Sequence, residues 1–117
     1  MEAKHFDEGK LPIQHVLGMP IIEEMAKVAA YGNTKYGDFY NYRKGMPWMK
    51  LLGSCARHLR SFICGENNDK ESGCSHLAHL AYDAGMLYEL ITLHPSLDDR
   101  PHRHVNLLDS TGDIDCI

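Results

Sequence analysis

At 117 residues the chain has the length of one domain, and 44% hydrophobic residues give it a modest core that a second copy would reinforce. A net charge of −4 argues against a binder of duplex nucleic acid, which needs a basic face. An acidic chain can still bind nucleotides when a metal ion supplies the positive charge.

The first twenty residues, MEAKHFDEGKLPIQHVLGMP, are broken by charges, glycines and prolines, and form neither a secretory core nor a membrane span. Pro20 suits the first turn of a helix, and IIEEMAKVAAYG follows with Ile21, Met25, Val28 and Ala29 at helical spacing. Gly32 is the expected stop. An aromatic and glycine-rich loop, NTKYGDFYNYRKGM, leads to a second helix opened by Pro47, with Leu51, Leu52, Cys55, Leu59, Phe62 and Ile63 on its apolar face. After the loop ENNDKESG, Ser75 is placed to cap a third helix, HLAHLAYDAGMLYELITLH. Its apolar stripe is Leu77, Leu80, Ala84, Leu87 and Ile91, and His94-Pro95 closes it.

The fold class expected is therefore all-α, an antiparallel bundle of three main helices completed by oligomerisation. Residues 1–94 form the helical domain, and residues 95–117 form a polar C-terminal arm or tail. Cys55, Cys64, Cys74 and Cys116, with no CxxC among them, read as reduced thiols of a soluble, cytoplasmic protein.

The stretch GENNDKESGCSHLAH concentrates chemistry. On a helix His76, His79 and Asp83 fall on one stripe, beside the apolar one. Imidazole and carboxylate are ligands for divalent ions, and Glu66, Asp69 and Glu71 lie in the loop before the helix. On the second helix His58 shares a stripe with Ser54 and Ser61. Antiparallel packing would bring Glu66 and Asp69 close to His76. Each of these groups alone reads as a core-edge or solvated residue, so the metal reading rests on their convergence. Upstream, Lys10, Lys35 and Arg57 could neutralise a phosphate chain while Tyr36, Tyr40 or Tyr42 stacks on a base. Taken by themselves, these residues read first as a loop whose aromatics seal the end of the bundle and whose lysines face solvent.

The segments FDEGKLP, YGNTKYGDFYNY, RKGMPW and RHLRSFICGENNDKESGCSHLAHLAYDAGMLYEL, in this order, resemble the phage dATP/dGTP diphosphohydrolase family, MazZ-like proteins related to MazG-type all-α pyrophosphatases. The likeness spans roughly residues 6 to 91. It departs from the family at Asn41-Tyr42, where Asn-Trp is usual, at GKLP, where GKP is commoner, and at Asp83, often asparagine.

The resemblance implies a homodimer or higher homo-oligomer that cleaves a purine deoxynucleoside triphosphate, dGTP or dATP, to the monophosphate and pyrophosphate, acting in the host cytoplasm. It implies a divalent cofactor, Mg²⁺ or Mn²⁺; the residues themselves offer Glu66, Asp69, His76 and His79 as its ligands, with His58 either a further ligand or a group that orients one. Histidines in place of MazG-type carboxylates favour Mn²⁺ or another transition ion. Glu71 or Asp83 would accept the proton of the attacking water, and Arg57 would stabilise the leaving pyrophosphate. Lys10, Lys35, Tyr36 and Asn41 would hold the nucleotide. The alternative is a phage protein that binds or sequesters a nucleotide without turnover.

Overall fold

Pro20 opens the first long helix because the N–H it lacks has no intrahelical acceptor in the first turn. In the computed structural model, which describes residues 2–4 and 9–101, four α-helices follow one another. They are α1 (Ile13–Leu17), α2 (Pro20–Tyr36), α3 (Trp48–Ile63) and α4 (His76–Leu93). Single 3-10 turns cover Asn41–Lys44 and Pro95–Leu97. Among the described residues the only extended pairing is one antiparallel bridge between Asn68 and Ser75. The chain is all-α, as expected.

The helix ends show where local sequence signals compete. The expected stop at Gly32 is corrected: α2 runs one turn further and ends at Gly37. Gly37 takes the left-handed conformation, φ 73°, and its N–H bonds the Asn33 carbonyl at 2.7 Å. A left-handed glycine cap satisfies the last carbonyls, whereas glycine inside a helix costs only about 1 kcal/mol. At α4 the sequence signal holds, since the Ser75 hydroxyl accepts from the N–H groups of Leu77 and Ala78. The first turn of α3 lacks such a cap on Pro47 and takes a distant one: Asp99 accepts the Met49 N–H at 2.9 Å.

α3 and α4 run antiparallel, because contacts late in α3 fall early in α4. The Trp48 indole N–H reaches the His94 carbonyl, Ser54 meets Asp83, and His58 meets His76. α4 also packs against α2, so it sits between the other two long helices. One core cluster joins Tyr42, Trp48, Leu51 and Leu90, sealed by Met46, Met86, Leu87 and Leu97. The other joins Val28, Cys74 and Ala78, with Ile21, Met25 and Tyr82.

The central place of α4 corrects the reading of its faces. Leu77 and Ile91, from the expected buried stripe, are 38% and 49% exposed. The buried row is instead His76, His79, Asp83 and Leu90, joined by Ala78. α3 meets α4 at His76, Asp83 and Leu90 and α2 meets it at Ala78 and Tyr82, which leaves the face of Leu77 and Ile91 to solvent. Cys55 and Cys74 are free thiols. Of the arm expected over 95–117, the first residues dock on the start of α3, with Leu97 against the core and the Arg100 guanidinium 5.0 Å over the Trp48 ring. Residues 102–117 and the expectations placed on them lie outside the described residues.

Candidate functional site

Each long helix contributes one stripe to a cavity of about 710 Å³. From α2 come Tyr31, Gly32, Lys35 and Tyr36, a spacing that exists as one helical face only because the helix continues past Gly32. From α3 come Lys50, Ser54, Arg57, His58 and Ser61, and from α4 His76, His79, Asp83 and Met86. The loop between α3 and α4 adds Asp69 and Glu71.

The imidazoles gather at one end. His58 Nδ1 lies 2.8 Å from His76 Nδ1, and the His58 ring stacks on His79 with centroids 4.4 Å apart and planes 6° from parallel. His76 turns its other nitrogen, Nε2, to Glu66 Oε1 at 2.7 Å. An ionised carboxylate can only accept, so His76 carries its proton on Nε2 and offers a lone pair at Nδ1.

The loop is held to both flanking elements. The His76 N–H bonds the Asn67 carbonyl, and the N–H of Asp69 bonds the Cys74 carbonyl at 2.8 Å. Gly73, at φ 73°, allows the tight return. Across to α2, Glu71 Oε1 accepts from the Tyr31 hydroxyl at 2.6 Å and from Lys35 Nζ at 3.2 Å.

The electrostatics follow from these contacts. Burial pushes the pKa of His58 down, and burial with the neighbouring His58 does the same for His79, so both favour the neutral, ligating form. Burial works to raise Asp69, but the two hydrogen bonds from Ser72 and the nearby imidazoles outweigh it and hold the carboxyl below its ordinary range. Glu71 is lowered by the hydrogen bonds from Tyr31 and Lys35, and Glu66 by its bond to His76. Asp83 moves the other way. It is 6% exposed, and burial raises its pKa despite the 2.5 Å hydrogen bond that Ser54 donates.

Most residues expected at the site converge. Lys35, Tyr36, Asn41, Arg57, His58, Asp69, Glu71, His76, His79 and Asp83 all line the cavity. Glu66, expected as a ligand, does not line it and lies behind His76. Lys10 is exposed, on the segment before α1, and is not among the lining residues. Three residues escaped the sequence reading. Lys50 sits four before Ser54 on the stripe already drawn through His58, so helical spacing could have found it. Tyr31 lay inside the expected helix, but nothing in its spacing set it apart from the residues around it. Ser72, which contacts both Asp69 and His79, carried no signal in the sequence.

A metal ion fits this donor set. One ligand atom from each of His58, Asp69 and His76 lies within 4.8 Å of the others. The His58 and His76 Nδ1 atoms, 2.8 Å apart, share one proton in the metal-free chain, and an ion held by both would take that proton's place. The carboxylate behind His76 is the usual partner of a ligating imidazole, fixing its orientation and its tautomer.

Comparison with known proteins shows the family of the chain. The family model described as "dATP/dGTP diphosphohydrolase, N-terminal" matches residues 2–100. A curated relative, the dATP/dGTP diphosphohydrolase of Salmonella phage PMBT28, is 34% identical over 100 residues, 86% of this chain and 33% of the relative. The chain thus spans about one third of the length of that relative. No solved structure matches this chain. With nearly the whole helical unit inside the family match, and the histidine and acidic segment inside it too, the chain belongs to the dATP/dGTP diphosphohydrolase family, in its N-terminal region.

Proposed function

We propose that this chain forms a metal-dependent nucleotide pyrophosphohydrolase site that converts dGTP or dATP to the monophosphate and pyrophosphate. The observation that carries the reading is a single cavity with imidazoles and carboxylates at one end and Tyr36, Asn41 and Lys50 elsewhere on its wall. Such a hollow offers a triphosphate one environment and its base another.

A divalent ion held by His58, Asp69 and His76 would supply positive charge to phosphate oxygens and lower the pKa of a bound water. Arg57 makes no ion pair among the described residues and faces the cavity, so its guanidinium is available to the departing pyrophosphate. Lys35 is committed to Glu71, and its role is shared between that carboxylate and the substrate. Tyr36, 59% exposed, offers a ring face for stacking, and Asn41 a donor and an acceptor for a base edge.

The reaction forms a bond from water oxygen to the α-phosphorus and breaks the bond to the oxygen bridging to the β-phosphate. The water's proton passes to a carboxylate. Of the two expected bases, Asp83 is better suited, since burial raises its pKa toward the working pH while Glu71 is held low by Tyr31 and Lys35. Glu71 then serves to fix the loop and its charge.

The outer stripe of α4 supports a homo-oligomer. Leu77, Tyr88 and Ile91 are exposed on one side of the helix, more apolar surface than a single chain covers. Among the described residues no helix is long and apolar enough to cross a membrane, and the enzyme is taken to act in the host cytoplasm.

The test is to incubate the protein with each deoxynucleoside triphosphate and Mn²⁺ or Mg²⁺ and to chromatograph the products. The expected result is dGMP or dAMP with pyrophosphate and no free phosphate. Purine nucleotides left intact with either metal overturn the reading; tight calorimetric binding without products supports sequestration in its place.

A further inference from the structure

Ser72 lies outside the cavity wall, yet it touches two of the groups that line it. Its N–H and its hydroxyl both donate to Asp69 Oδ2, at 3.0 and 2.9 Å. The same hydroxyl oxygen accepts the Cys74 N–H at 3.1 Å and lies 2.6 Å from His79 Nε2.

These contacts leave one consistent placement of protons. A serine hydroxyl has one proton and two lone pairs. The Cys74 N–H uses one lone pair. The Asp69 carboxylate has no proton to give, so the hydroxyl proton points to Oδ2. What remains for His79 is a lone pair, and Nε2 must therefore be protonated. A neutral His79 then presents an unprotonated Nδ1. Asp69 is ordered by the same residue: Oδ2 is engaged twice, and Oδ1 accepts no hydrogen bond among the described residues.

We propose that Ser72 is a positioning residue that selects the tautomer of His79 and assigns the two oxygens of Asp69, so that each group turns its unengaged atom toward the site. Glu66 does the corresponding work for His76 by direct contact. For His79 the distance to Asp69 Oδ2 is 3.8 Å, too long for a direct hydrogen bond, and the Ser72 hydroxyl bridges it. The inference holds for the folded chain whether or not the proposed hydrolysis does.

The experiment is nitrogen-15 NMR of the histidine rings in the metal-free protein at pH 7.5, comparing wild type, Ser72→Ala and Ser72→Thr. Wild type is expected to show His79 as the Nε2–H tautomer. Ser72→Ala is expected to give a mixture or the Nδ1–H tautomer, while Ser72→Thr restores the wild-type pattern. The same three proteins are titrated with Mn²⁺ by calorimetry, where Ser72→Ala should bind at least tenfold more weakly and Ser72→Thr within about threefold of wild type. A His79 that is Nδ1–H or doubly protonated in wild type, or unchanged in Ser72→Ala, overturns the proposal. Backbone amide shifts of α4 serve as the folding control. If Ser72→Ala disturbs them, the wild-type tautomer alone decides.

Discussion

The imidazoles set the acid sensitivity of the molecule. His58 and His79 have folded pKa values held below their ordinary value of about 6.5 by burial, so the unfolded chain binds protons that the folded chain rejects. Their contribution to stability is fully present above about pH 6.5 and is lost as pH falls below it. Asp83 acts in the opposite sense, because its raised folded pKa favours the fold at low pH and burdens it once the carboxylate ionises. Calorimetric melting of the metal-free protein should show a lower Tm at pH 5.5 than at 7.5. The double substitution His58→Gln with His79→Gln should flatten that slope. Asp83→Asn should raise Tm at pH 7.5 and make the acid loss steeper. A pH slope of Tm left unchanged by that double substitution would show that these rings titrate as exposed ones do. The sequence made these residues visible as a row; burial, which fixes the direction of each shift, came from packing against residues far away in the chain.

At the level of single helices, the two glycines of α2 make opposite predictions. Gly32 lies inside the helix with open space around an added Cβ, so Gly32→Ala should stabilise by about 1 kcal/mol in urea denaturation. Gly37 ends the helix at φ 73°, and Gly37→Ala should destabilise by about 1–2 kcal/mol. The reverse order would restore the helix stop at Gly32. The extension past Gly32 is also what places Lys35 and Tyr36 on the cavity face beside Tyr31. Local sequence offered two glycines five residues apart, and it could not rank them. Lys35, carried on that last stretch of helix, meets Glu71, which Tyr31 reaches from the turn before, across some forty residues of chain.

For the whole molecule, the unusual feature is a central helix that buries its polar row and shows part of its apolar one. α4 packs against both α2 and α3, yet the outer stripe of Leu77, Tyr88 and Ile91 has no cover within the described chain. A second copy would bury it. Light scattering coupled to size exclusion should report a dimer or larger species, and Ile91→Glu with Tyr88→Glu should shift it toward monomer. A wild-type protein that stays monomeric at high concentration would remove oligomerisation from the account.

Helical class, family and the identity of most of the groups that meet were legible in the amino-acid order alone, because periodicity and motif order are local properties of the chain. Tertiary structure decided which face of α4 turns inward, since a helix has several faces and only its neighbours choose among them. It also decided the atoms: Glu66 moved from the cavity to the back of His76, and Ser72 took a place between Asp69 and His79. Hydrogen-bond direction depends on the partner each nitrogen and oxygen meets, and those partners are set by folding rather than by spacing.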